Sequence, residues 1–297
     1  MSDLPFNWSK LQSADEMDVG RHFEYDSYAA EMFKKWLPPV PQSGRILEVG
    51  SGSGFFTGKL RFLYPHRSII CLEPDPILRS ALLSKFHDLE VLTEPLETCE
   101  IPPETFDLAI SHVVIHNLPD PLQGLKRMER AVKSGGFIVC IEPTSGYRHI
   151  LPHENLTKAF DVLKEYSRVV SIERTKVLKL GESRNPYSYS YPELFEELGL
   201  VDITCYGWCS VFTLSDPRFE FEHKKKWVTR RKKLLMDERD EKTRVMVEAG
   251  LNKDRIDDAY DTILAYLGQI ESASEDEISH IHEQEISNRT ITIGRKK

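Results

Sequence analysis

The chain has 297 residues, of which 40% are hydrophobic and 29% charged, with a formal net charge of −8. That composition suits a soluble globular chain and carries no global cationic footprint, which argues against nucleic acid or an anionic membrane as its partner. Five cysteines (Cys71, Cys99, Cys140, Cys205 and Cys209) form no CxxC pair, "MSDLPFNWSK" has no apolar leader, and no run nears 18 apolar residues, so a cytoplasmic chain with reduced thiols and no membrane span is expected.

Residues 1–40 read as a helical cap. "YDSYAAEMFKKWLPP" (25–39) predicts a helix ended by Pro38, with Tyr28, Met32 and Trp36 stepping by four along its apolar face. From residue 45, short apolar runs alternate with helical stretches. The runs are "RILEV" (45–49), "SIICL" (68–72), "LEVL" (89–92), "FDLAIS" (106–111) and "GFIVCIE" (136–142). Helices are expected between them at 55–64, at 76–86 with Pro76 in the first turn, and at 120–132 from Asp120. Near-continuous apolar runs alternating with helices predict a parallel sheet covered on both faces.

Beyond residue 146 the pattern changes. Residues 147–189 contain an amphipathic stretch at 153–170. "SYPELFEELGL" (190–200) carries a capping-box signature, Ser190 with Glu193, and a stop at Gly199. "VDITCYGWCSVFTL" (201–214) predicts a sixth strand and "RTITIG" (289–294) a seventh. The charged stretch between them, 215–288, reads as a helical insertion. Its basic run "HKKKWVTRRKK" (223–233) precedes Asp237, Glu238, Asp240 and Glu241, as on a solvated helix face with intrahelical pairs.

"EVGSGSGFF" (48–56) places Gly50, Gly52 and Gly54 at the end of the first run. Glycine admits positive φ and close approach of other atoms to the backbone. Open α/β sheets bind ligands at the carboxyl ends of their strands, where this loop lies. The dinucleotide spacing G-x-G-x-x-G/A fails, because its last position falls on Phe55 or Thr57. The P-loop spacing fails because Leu60 follows Gly58-Lys59. The pattern is E-x-G-x-G-x-G, which demands less close packing of a helix on the loop. "CLEPDP" (71–76) puts Glu73 at the end of the second run, where a carboxylate can accept both hydroxyls of a ribose; Asp75 reads as a helix cap.

These motifs, in this order, resemble those of class I S-adenosylmethionine-dependent methyltransferases, of the small-molecule, type 11 and type 25 kind. "ILEVGSGSGFFTGKL" looks like the family's first motif, and the likeness covers about residues 25–146 by motif and the last strands by layout. It implies an α/β, Rossmann-like, doubly wound seven-stranded sheet, mostly parallel with an antiparallel last strand, here with helical lid insertions. The core would comprise 41–146 with 190–214 and 289–297. The implied cofactor is S-adenosyl-L-methionine and the implied partner a small-molecule methyl acceptor, with no metal.

By the same resemblance the cofactor-binding residues would be Glu48, Gly50, Ser51, Gly52, Gly54, Glu73, Pro74, Glu94, Pro95, Ser111, His112 and Tyr28. Glu48 stands where it would meet the cofactor ammonium directly or through water, or else cap the loop. In "LTEPLE" (92–97) Glu94 is the choice for the adenine, with Glu97 as rival. Tyr25 and Tyr28 stand either to cover the cofactor or to pack the core. "FDLAISHVVIHNLPDP" (106–121) departs from the family's Glu-His or His-His pair before "LPDP": here the pair is His116-Asn117. "AVKSGGFIVCIEP" (131–143) resembles the turn before the fifth strand, with Ser134 in place of proline.

Methyl transfer from a sulfonium needs alignment and exclusion of water more than reactive side chains. For a hydroxyl acceptor a base helps, and His112 and His116 are the candidates against a packing or capping role; Glu142 is a weaker one. The Asn/Asp-Pro-Pro-Tyr/Phe motif of adenine and glutamine methylation is replaced by Ser111-His112-Val113-Val114. Protein or RNA methylation, or cofactor binding without turnover, are the alternatives. The chain leaves the oligomeric state and the identity of the acceptor open.

Overall fold

The computed structural model describes residues 13–25, 27–144, 148–177 and 190–297. Parts of the expected 1–40 cap and 147–189 lid segment, residues 1–12, 26, 147 and 178–189, lie outside them. The chain divides into two compact units: unit 1 comprises Met1–Thr144, Tyr189–Cys209 and Asn288–Lys297, and unit 2 comprises Ser145–Ser188 and Ser210–Ser287.

Unit 1 is built on strands β1 (Arg45–Val49), β2 (Ser68–Leu72), β3 (Glu90–Leu92), β4 (Phe106–His112) and β5 (Val132–Pro143), with β7 (Val201–Thr213) and β8 (Gln284–Arg295), the last two continuing into unit 2. The strand order is β3-β2-β1-β4-β5-β8, with β7 beside β8. The first five strands are parallel and β8 is antiparallel to β5. This is the seven-stranded Rossmann-like sheet the sequence implies.

The apolar runs are buried on both faces because alternate residues enter two separate cores. Ile46, Cys71, Leu108, Ile110, Val139 and Ile141 face one, packed with α2 (Ser27–Trp36) and α3 (Phe55–Leu63). Leu47, Val49, Ile70, Leu72, Ala109 and Ile138 face the other, with α5 (Pro121–Ala131) and α7 (Tyr191–Glu197). Each fully buried Leu or Ile contributes roughly 1.5–3 kcal/mol. Residues α1 (Ala14–Glu24) and α4 (Pro76–Lys85) complete the unit. Asp75 caps α4 by accepting the Ile77 and Leu78 N–H groups, and Asp120 caps α5 by accepting that of Gln123.

Several local expectations are corrected. The buried face of α2 is Ala29, Phe33 and Leu37, stepping from Tyr25, so it lies one residue away from the expected Tyr28, Met32, Trp36 stripe; Tyr28 is 68% exposed. Both stripes step by four, and the helix rotates to bury the fully apolar one. Ser190 is the N-cap of α7 but makes no side-chain cap bond. A complete capping box forms instead at Ser274 and Glu277, opening α11 (Glu275–Ser279). The turn expected before the fifth strand is absorbed into β5 as a bulge: Phe106 pairs with Val132 and Leu108 with Phe137. There Gly135, at φ +80°, donates to the Lys296 carbonyl.

Unit 2 consists of α6 (Glu154–Val177), α8 (Phe221–Asp237), α9 (Arg239–Glu248), α10 (Lys253–Ser272) and α11, with an unanticipated short strand β6 (Arg148–Ile150) paired antiparallel to the start of β8. Ile256, Tyr260, Ile263, Leu267 and Ile270 form the buried stripe of α10. The basic run lies on α8, and three of its cations find partners outside that helix. Lys232 pairs with Glu271 of α10 at 2.5 Å, Arg231 with buried Glu283, and Lys225 donates to the Ile270, Glu271 and Ala273 carbonyls where α10 ends. No helix among the described residues is long and apolar enough to cross a membrane.

Candidate active site

The glycine loop follows β1 at the carboxyl end of the sheet. Gly50, Gly52 and Gly54 all have positive φ, at +70°, +55° and +88°. The Gly50 and Ser51 N–H groups both donate to the Leu72 carbonyl (2.9 and 3.1 Å), which ties the loop to the end of β2. The three glycines are required for different reasons. A Cβ on Gly50 would lie 2.5 Å from Val114 Cγ2, and one on Gly54 would lie 2.7 Å from Leu82 Cδ1 of α4. Close helix packing on the loop is thus present at Gly54, against the sequence expectation. At Gly52 a Cβ would meet only Met17 Cε at 3.6 Å, so φ alone demands glycine there. Ser51 is buried, and its hydroxyl donates to the Glu48 carbonyl at 3.4 Å. Helix α1 reaches this loop through Asp18, which accepts from the Ser53 hydroxyl and pairs with Lys85.

Glu73 is buried directly after β2. Its carboxylate accepts the Gly52 N–H at 2.6 Å and the Asp75 N–H at 2.9 Å. Burial raises its pKa, and the two backbone donors oppose that rise. Pro74, half-buried, follows, its carbonyl accepting from Arg79. Glu48 points elsewhere. Its carboxylate accepts the Thr57 hydroxyl of α3 at 2.6 Å and the Cys71 thiol of β2 at 3.6 Å. Complete burial pushes its pKa up to about 7, against the pull of those donors. Glu94 is exposed in the loop after β3, with Pro95 half-buried beside it.

The fourth strand ends in a tight constellation. Ser111 is buried, its hydroxyl 3.4 Å from Cys140 Sγ. His112 Nε2 lies 2.5 Å from Tyr25 Oη, and its ring stacks on Phe56 at 4.8 Å between centroids. Burial holds the His112 pKa well below the ordinary histidine range, assisted by the charges of Arg21 and Arg289, so this imidazole is neutral at pH 7. Val113 adopts φ +58°, a conformation that costs a β-branched residue about 1–3 kcal/mol. That reversal brings Val114 against Gly50 and starts a 3-10 turn at Ile115–Asn117. Buried Glu142, near the end of β5, accepts the Val114 and Ile115 N–H groups (3.2 and 3.0 Å) and lies 2.6 Å from His116 Nδ1. Among the described residues no cluster of three or more His, Cys, Asp or Glu side chains is arranged to hold a metal ion.

A family model described as a methyltransferase domain matches residues 47–140. Residues 47–140 thus carry the sequence pattern of a methyltransferase domain. An uncharacterized methyltransferase of Schizosaccharomyces pombe is 30% identical over 138 residues, which are 39% of this chain and 49% of that protein. A malonyl-[acyl-carrier protein] O-methyltransferase of a Paenibacillus species is 30% identical over 102 residues, 32% of this chain and 37% of that protein. The matched segment thus spans less than half of either relative. In fold, the chain is similar to the Haemonchus contortus phosphoethanolamine N-methyltransferase 2 solved with phosphomonomethylethanolamine and S-adenosylhomocysteine. The TM-score is 0.51 and the identity 15%, over 97% of this chain and 59% of that one.

Within residues 47–140 the structure gathers Gly50, Ser51, Gly52, Gly54 and Glu73 at adjoining strand ends, and Ser111, His112 and His116 at the next. Tyr28 and Glu94 are both exposed, and it is Tyr25, not Tyr28, that reaches His112. Two features escape sequence reasoning. Glu142 lies 26 residues from His116, and only the parallel pairing of β4 with β5 brings them together. Trp208 of β7 packs edge-on against Tyr25 at 4.6 Å between centroids, a contact that no local pattern signals.

Proposed function

We propose that the protein transfers a methyl group from S-adenosyl-L-methionine to a small-molecule acceptor. The observation that carries this reading is the 2.6 Å bond between Glu73 and the Gly52 N–H, which joins the acid after β2 to the glycine loop after β1. An ionised carboxylate has about four acceptor sites and two are used by backbone, so Glu73 retains capacity for ribose hydroxyls. Gly52, where a Cβ would meet only Met17 Cε at 3.6 Å, allows a ligand to approach the backbone. Gly50, Ser51 and Gly54 would form the rest of the cradle, with Pro74, Glu94 and Pro95 toward the base and Ser111 and His112 on the opposite side. The buried carboxyl of Glu48 stands behind the loop and would act on the cofactor ammonium through that loop or a water. When bound, the cofactor supplies an electrophilic methyl carbon on a neutral leaving group. The chain's own task is to hold the acceptor in line and exclude water. His112 and His116 are the groups beside the cradle able to take a proton from the acceptor.

A small-molecule acceptor is favoured over RNA because Lys225, Arg231 and Lys232 of the basic run already contact unit 2's own carboxylates and carbonyls. The relative named as an O-methyltransferase on a carrier-bound malonyl group points the same way.

Titration calorimetry with S-adenosylmethionine and S-adenosylhomocysteine tests the reading. Binding of both is expected, and Glu73→Ala should weaken each by about 10- to 100-fold, the loss of a charge-assisted hydrogen bond or two. Absence of binding to either ligand sinks it.

A further inference from the structure

We infer that the outer edge of β7 pairs with the same edge of a second copy of this chain, antiparallel and centred on Gly207. β7 runs for 13 residues, Val201–Thr213, and among the described residues its one strand neighbour is β8. The contacts of Asp202 with Arg295, Cys205 with Thr292 and Ser210 with Ser287 trace β8 antiparallel along it. On its other side no described strand or backbone group meets it. A row of unpaired N–H and C=O groups is a template for another strand. Natural edges are commonly guarded by lysine, proline or inward-pointing charges, yet residues 203–213 contain no charged residue and no proline.

The sequence of that edge names the partner. Outward from Gly207, Tyr206 matches Trp208, Cys205 matches Cys209, Thr204 matches Ser210 and Ile203 matches Val211. Aromatic, thiol, hydroxyl and β-branched side chains thus recur at equal distances on either side. In an antiparallel pair, opposite residues both direct their backbone groups at the partner strand or both away from it. A strand paired with itself is therefore centred on a residue. Centred on Gly207, two copies place Tyr206 opposite Trp208, Cys205 opposite Cys209 and Thr204 opposite Ser210, with the reverse across the axis. That reciprocity is what a two-fold interface requires. Aromatic pairs and hydroxyl pairs are favourable cross-strand neighbours, and no like charges meet. An unrelated strand has no cause to match this symmetry, whereas a second copy matches it at every position from 203 to 211.

The inner face of β7 holds the edge ready. Trp208 is buried against Tyr25, and Tyr206 stacks on Trp36 at 5.3 Å between centroids. The opposite face carries Cys205, Gly207 and Cys209, all exposed, and a Cβ at Gly207 would meet nothing within 4 Å. Nine residues a side is fewer than the roughly 20–30 of a standard interface, so the dimer is reversible, with a Kd on the order of 10–100 µM.

Sedimentation velocity of the native chain under reducing conditions, at about 5 to 300 µM, should show the coefficient rising from that of a 34.3 kDa monomer toward that of its dimer. Gly207→Lys sets a cation on each side of the axis and should raise the dimer Kd by about tenfold or more, with the monomer still folded. Cys205→Ser and Cys209→Ser read the register. Each is oxidised with diamide, which takes one hydrogen from each of two thiols as the disulfide forms; Cys71, Cys99 and Cys140 are buried. In this register Cys205 of one copy faces Cys209 of the other, while the two Cys205 residues lie four residues apart along the strands, about 13 Å and beyond disulfide reach. Either variant alone should give little cross-linked dimer, and an equal mixture of the two about fivefold more or better. A native chain that stays monomeric at the highest concentration overturns the proposal. So does a mixture that cross-links no better than either variant alone, or a folded Gly207→Lys that dimerises as the native chain does.

Discussion

Within unit 1 the buried acids Glu48, Glu73 and Glu142 each lie within one residue of the carboxyl end of a parallel strand, and neutral donors meet them: a hydroxyl, a thiol, backbone N–H groups and an imidazole. Within unit 2 the buried acid Glu283 is met by the guanidinium of Arg231 and the hydroxyl of Tyr266. The difference separates two uses of a buried carboxylate. Opposed by a full positive charge, it forms a buried ion pair that serves the fold. Opposed by dipoles alone, Glu48 and Glu73 have their pKa raised by burial, which leaves their protonation open to tuning by a ligand.

The comparison is broken most directly at Glu283. Glu283→Ala leaves the Arg231 guanidinium, 13% exposed, without that carboxylate, and should cost about 3–5 kcal/mol in chemical denaturation. Below its transition the variant should bind S-adenosylhomocysteine as the native chain does. A tenfold loss of affinity would mean that the ion pair serves the ligand as well as the fold.

Glu48→Gln comes next, and its effect depends on pH. The native carboxyl holds its proton up to about pH 7, whereas the unfolded one releases it near 4.5. Between those values the native state binds more protons than the unfolded state, so the native chain loses stability as pH rises through the window. Above it a penalty of about 3 kcal/mol remains. Glutamine carries no such penalty. The variant's advantage in urea unfolding should therefore grow from near zero at pH 4.5 to about 3 kcal/mol at pH 8; a difference independent of pH would show that Glu48 ionises normally.

The smallest effect sharpens the other side of the comparison. Lys226, an exposed lysine of the basic run, should tolerate replacement by glutamate within about 0.5 kcal/mol. Filter binding at low salt should detect no RNA that the native chain retains and this variant loses.

How far the sequence reaches can be judged at particular positions. The first two strands match their apolar runs, 45–49 and 68–72, because strands buried on both faces leave an unbroken hydrophobic signature. The glycine loop and Glu73 were legible because their chemistry is local: backbone conformations that only glycine adopts readily, and an acid at a strand end. Tyr28 and Tyr25 were harder to tell apart: a continuous helix over 25–39 would set them only about 60° apart in facing, whereas Tyr25 precedes α2. The Glu142–His116 contact depends on β4 and β5 lying side by side, and the strain at Val113 on the turn that follows. Neither has a counterpart in composition or period. The partners of Lys225, Arg231 and Lys232 outside α8 were missed for the same reason: charge spacing along one helix says nothing about the carboxylates and carbonyls of other segments.

The approach of Val114 to Gly50 has a consequence for engineering. The loop after β1 accepts the loop after β4 only because a methyl group is missing at Gly50, and Val114 arrives there only through the reversal at Val113. The two loops therefore fit as a matched pair, like a key cut for one lock. Grafting the nine residues "EVGSGSGFF" into another scaffold would transfer the glycines and leave behind the surface that fixes them. A chimera that preserves the loop's shape has to exchange residues 48–56 and 111–118 together.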